Sequence, residues 1–81
     1  MTNIGPSEEQ INSIVSILSI GEFKEALEKT AVLCHKFPRE SLLFNLRGAC
    51  YQGLGQLDTA VENYQKAIAI NPSFYKAHYN L

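Results

Sequence analysis

Six residues invite a catalytic or ligand-binding reading: His35, His78, Cys34, Cys50 and the pair Glu8-Glu9. A nucleophile needs a base within reach and a third group to orient that base. Neither histidine has an Asp, Cys or Ser at a spacing that gives such a triad, and the two are separated by two helices' worth of chain. The cysteines form no CxxC and are too few for a disulfide framework, so each reads as a small buried apolar residue. Glu8-Glu9 reads as the acidic start of a helix, where carboxylates complement the helix dipole. Gly48, Gly53 and Gly55 make neither GxGxxG nor a Walker loop, and they sit between helical segments rather than after a strand. The residues predict no enzyme, no metal and no cofactor.

Elements built from this chain must therefore present a surface instead of a reaction centre. Its 81 residues are one small domain, with 46% hydrophobic residues to fold on. Seven Lys and Arg against eight Asp and Glu leave a net charge of −1 with the signs interspersed, so no nucleic-acid or anionic-membrane partner is expected. The start MTNIGPSEEQ lacks a basic residue, and Asn12, Ser13, Ser16 and Ser19 interrupt the apolar run from Ile11 to Ile20. Neither a secretory signal nor a membrane span fits, and a cytoplasmic protein is the expectation.

An offset of 34 residues superimposes the chain on itself. Gly21 falls on Gly55, Phe23 on Leu57, Ala26 on Ala60, Leu27 on Val61, Glu28 on Glu62 and Pro38 on Pro72. Each unit is helical in pattern. Ile11, Ile14, Val15, Ile17 and Leu18 make one apolar stripe, started by Pro6 and a Ser7/Gln10 capping box and ended at Gly21. A second helix is predicted from about Glu22 to Lys36, with Pro38 as its stop. Leu43, Leu46, Ala49, Cys50 and Leu54 make the next stripe up to Gly55, and Leu57, Val61, Tyr64, Ala67 and Ile68 another, closed by Asn71-Pro72. A fifth helix is predicted from about Ser73 to Leu81, and no segment alternates as a strand would.

This punctuation resembles the tetratricopeptide repeat family, most closely over the second unit. Phe44, Tyr51 and Tyr64 stand at the family's aromatic positions, Gly48, Ala60 and Ala67 at its small ones, Gly55 at its inter-helix turn and Pro72 at its closing proline. Arg47 departs, standing where Leu is more common. The small residues suit close helix crossings, and the aromatics are expected to fill the wedge between successive pairs. In the first unit Ile14, Thr30 and Leu33 replace a small residue, an aromatic and a second small residue, as a terminal repeat would.

The resemblance implies an all-α fold of antiparallel helix-turn-helix repeats forming a short right-handed α-solenoid. Residues 1–81 are one domain: repeat 1 at 7–40, repeat 2 at 41–74, and the start of repeat 3 at 75–81, where Tyr79-Asn80-Leu81 breaks off in mid-helix. It also implies that the first helix of each pair lines a concave groove. Ile11, Val15 and Leu18 would face it from the first unit, Leu42, Asn45, Ala49 and Gln52 from the second, and Lys76 and Tyr79 from the third. For Val15 and Leu18 the alternative is packing against their own partner helix. Places that hold a Lys/Asn carboxylate clamp in some relatives here carry Ile11, Val15, Asn45, Ala49, Lys76 and Asn80, too little positive charge for that clamp.

A mostly apolar groove fits an amphipathic helix or hydrophobic segment, and the leading expectation is a non-catalytic protein-interaction scaffold. Two others stand beside it. One is a substrate-docking arm of a larger transferase, such as a glycosyltransferase-like enzyme. The other is a self-assembly element, a homo-oligomer formed through the open C-terminal end where Tyr64, Ile68 and Phe74 would lack cover.

Overall fold

A computed structural model describes residues 5–73, which form four α-helices: α1 (Glu8–Ser19), α2 (Phe23–Lys36), α3 (Ser41–Gly53) and α4 (Leu57–Ile70). No strand occurs among the described residues. The predicted fifth helix lies outside them. All four breaks fall where the Gly and Pro positions put them.

The start of α1 is a full capping box. The Gln10 amide donates to Ser7 Oγ at 3.1 Å, and the Ser7 amide donates to Gln10 Oε1 at 2.8 Å. Its end is a Schellman turn: Gly21, at φ +83°, donates to the Leu18 carbonyl, and Glu22 donates to that of Ile17. One period later the turn is reproduced bond for bond. Gly55, at φ +80°, donates to Gln52, and Gln56 donates to Tyr51. The second helices also end alike. Phe37 and Asn71 each donate to the carbonyl four residues back and then leave the helical region, which a following proline disfavours.

Contacts between the helices run in opposite directions along their axes. The Phe23 ring, at the start of α2, lies on Gly53 at the end of α3. Tyr64 of α4 meets Gly48 and donates its hydroxyl to Gln52 Oε1 at 2.6 Å, while Lys66 lies over Phe44. Helix α3 is thus antiparallel to both α2 and α4, and it touches all three others. The core follows from that placement: Ile14, Ala26, Leu33, Cys34, Leu43, Phe44, Leu46, Cys50 and Ala67 are buried in one cluster.

Two expectations about packing change. The stripe on α4 is rotated: Leu57 and Val61 are exposed, and Ala60, Tyr64 and Ala67 carry the burial. Tyr64 fills space inside its own helix pair, not between pairs. A Cβ on Gly48 would stand 2.6 Å from its ring, so the glycine makes room for the aromatic.

One period earlier the same two positions hold Ile14 and Thr30, which are 1% and 0% exposed. Bulk sits on the first helix in unit one and on the second helix in unit two. The Thr30 hydroxyl is satisfied locally, donating to the Ala26 carbonyl at 2.6 Å.

Candidate interaction surface

The residues expected to line a groove fall into three environments. Ile11, Leu18 and Leu42 are half-buried and pack against the core cluster, which is the packing alternative weighed for Leu18. Asn45 is buried at 6% exposure. Val15 at 45% exposure and Gln52 are open to solvent, with Ala49 half-buried. Gln52 is also engaged as acceptor for the Tyr64 hydroxyl. Lys76 and Tyr79 lie outside the described residues, as does His78.

At 100° per residue, Leu42, Asn45, Ala49 and Gln52 share one side of α3, and Phe44, Arg47 and Tyr51 lie roughly 150° around from them. This second side is the floor of a trough walled by α2 and α4. Two contiguous clefts occupy it. One, of about 380 Å³, is lined by Ala31, Cys34, His35 and Pro38 from the α2 side and by Lys66 from α4. The other, of about 230 Å³, is lined by Tyr51, Thr59, Glu62 and Asn63. Phe44, Arg47 and Lys66 belong to both.

Cations lie on rings there. The Arg47 guanidinium carbon is 6.0 Å from the Tyr51 ring centre, and the Lys66 ammonium is 4.9 Å from that of Phe44. Arg47 Nε is fully buried and has no hydrogen-bond partner among the described residues. Sequence reasoning marked Arg47 as a departure and assigned it nothing; the signal was a charged side chain at an internal position of the repeat.

The thiols are free and buried, Cys34 at 6% and Cys50 at 0% exposure. Burial pushes both above the ordinary thiol value, with the Arg47 charge and a hydrogen bond from its side chain opposing the rise at Cys34 and a Thr30 hydrogen bond opposing it at Cys50. Thiols held protonated in this way are poor nucleophiles. No group of three His, Cys, Asp or Glu able to hold a metal occurs among the described residues. No helix among them is long and apolar enough to cross a membrane.

Comparison with known proteins bears on the second helix pair. The family model described as the tetratricopeptide repeat matches residues 41–74. Residues 41–74 are a tetratricopeptide repeat. The chain is also 32% identical over 60 residues to the peroxisomal targeting signal receptor of Kluyveromyces lactis, an alignment covering 74% of this chain and 11% of that protein. It therefore spans about a tenth of the length of that relative. No solved structure matches it significantly.

Proposed function

We propose that this chain is a non-catalytic interaction module that binds a peptide or partner helix across the first helices of its repeats. The contact residues on this reading are Ile11, Val15 and Leu18 of α1, Leu42, Asn45, Ala49 and Gln52 of α3, and Lys76 and Tyr79 beyond them. The observation that carries it is the bond-for-bond repetition of the Gly21 and Gly55 turns, by which α1 and α3 each leave for their second helix in the same way. On those helices, exposed Val15 and small Ala49 offer apolar surface, and exposed Gln52 offers a polar edge. Such a face suits the apolar side of an amphipathic helix or a hydrophobic segment. The relative's name, a receptor for a targeting signal, supports a short segment as ligand.

The test uses peptides selected from a displayed library against the chain. Val15→Glu combined with Ala49→Glu places two charges on the face without touching a fully buried residue. It is expected to weaken the selected peptides at least about tenfold, a cost of about 1.4 kcal/mol, with the helical circular dichroism unchanged. Peptides that bind the double variant as well as the parent would refute the assignment of this face.

A further inference from the structure

The trough on the opposite side of α3 has no part in that reading. We infer that it is a second ligand site, built to take the carboxylate of an Asp or Glu side chain from an acidic segment of a partner protein.

The inference starts from Arg47. Arg47 is half-buried, and a buried guanidinium N–H is ordinarily spent on a carboxylate or carbonyl, because a buried donor left unpaired is costly. Here Nε is out of contact with water and has no acceptor, although the side chain borders open clefts on two sides. A rotation about the outer torsions of Arg47 would bring Nε to the trough, where two ligand oxygens would take it and the neighbouring Nη in the side-on fork that guanidinium offers to carboxylates. Lys66 supplies a second positive charge from α4, held against the Phe44 face. The walls are partly apolar, through Ala31, Pro38 and Phe44, so they would also cover the methylenes of an acidic side chain.

Charge selects among anions. Glu62, one turn before Lys66 on α4, lines the smaller cleft together with Arg47 and Lys66. Two cations beside one fixed carboxylate favour a single negative charge over a phosphate dianion. Position selects a side chain over a chain terminus. Arg47 and Lys66 sit where the two clefts join, so a segment running through both presents a side chain at the cations, whereas a chain end bound there would leave one cleft unfilled.

The experiment follows the Arg47 Nε–Hε resonance of the full chain by nitrogen-edited NMR. The titrants are a blocked tripeptide with central Glu, its Gln isostere, a trialanine with a free carboxylate, and inorganic phosphate. The Glu peptide is expected to move that resonance and to bind at least about fivefold more tightly than the other three. Arg47→Leu, which restores the apolar residue more common in related repeats, is expected to abolish the preference while the urea midpoint holds or rises, because an unpaired buried donor is gone. Lys66→Ala, at an exposed position, is expected to weaken the Glu peptide about threefold or more. The site is refuted by equal binding of the Gln peptide, by an unchanged affinity in either variant, or by a fall in the Arg47→Leu urea midpoint. Tighter binding of trialanine or phosphate overturns the side-chain occupant. Binding at the α1/α3 face is independent of every one of these outcomes.

Discussion

Exchanging the bulk pattern of the two repeats is a decisive perturbation of this fold. Gly48 and Tyr64 in the second repeat correspond to Ile14 and Thr30 in the first, and the two pairs hold nearly the same number of side-chain heavy atoms. Gly48→Ile alone drives a branched side chain into the Tyr64 ring, whose nearest carbon is already only 2.6 Å from where a Cβ would stand. Tyr64 is 2% exposed, and its hydroxyl is tied to Gln52, so it has little room to yield. The overpacking cost is about 3 kcal/mol, less the 0.5 to 1 kcal/mol recovered by removing a mid-helix glycine. Tyr64→Thr alone opens a cavity at a cost of about 3–5 kcal/mol and loses about 1 kcal/mol of hydrogen bond. Together the substitutions rebuild the packing of the first repeat, so the double variant is expected to recover about 3 kcal/mol of the summed losses. The assay is urea unfolding followed by far-ultraviolet circular dichroism, in sulfate so that the single variants stay folded. Single-variant losses that add to within about 0.5 kcal/mol would refute the equivalence of the two pairs.

Other consequences are equally open to measurement. Ala60→Leu is expected to cost about 1–3 kcal/mol more than Thr59→Leu, since Ala60 is 2% exposed at the crossing with α3 and Thr59 borders the open trough; urea midpoints compare them. Cys34, Cys50 and Tyr64 all hold their protons more tightly when folded, chiefly through burial. Their contribution is therefore complete below the ordinary thiol value of 9.0 and is lost as pH rises through the elevated folded values, with Tyr64 adding its part above its ordinary 10.0. Urea midpoints should be flat from pH 6 to 8 as far as these groups are concerned and fall above 9, and Cys34→Ala should flatten part of that fall. A thiol reagent at pH 8 should label Cys50, which is 0% exposed, only at the rate of unfolding.

Features that a short stretch of chain controls by itself were readable without coordinates. Ser7 and Gln10 reach each other across one helical turn, Gly21 and Gly55 need only their own backbone freedom, and Pro38 and Pro72 act on the residue before them. What could not be read depends on which neighbour arrives. Helix α3 is covered on three sides, so Asn45 is buried on the side assigned to a groove, and the periodicity of α3 says little about which stripe faces out. On α4, Ala60 and Ala67 are buried as the family resemblance implied, and what the apolar stripe alone misjudged is Leu57 and Val61, which are as apolar as core residues and yet exposed. The trough around Arg47 needs residues from three helices and has no local signature.

The alternation of bulk between the two helix pairs bears on how the chain finds its native partners while it folds. A solenoid of identical units can mispair, because the first helix of one unit suits the second helix of any other. Here α1 offered to α4 would bring Ile14 against Tyr64, two large groups in one crossing, and α3 offered to α2 would leave Gly48 opposite Thr30 with a void between them. Both trespasses are disfavoured by the same two exchanges that make the native pairs fit. The repeats thereby carry an address as well as a shape, and the chain can reuse one architectural unit without losing track of which copy is which.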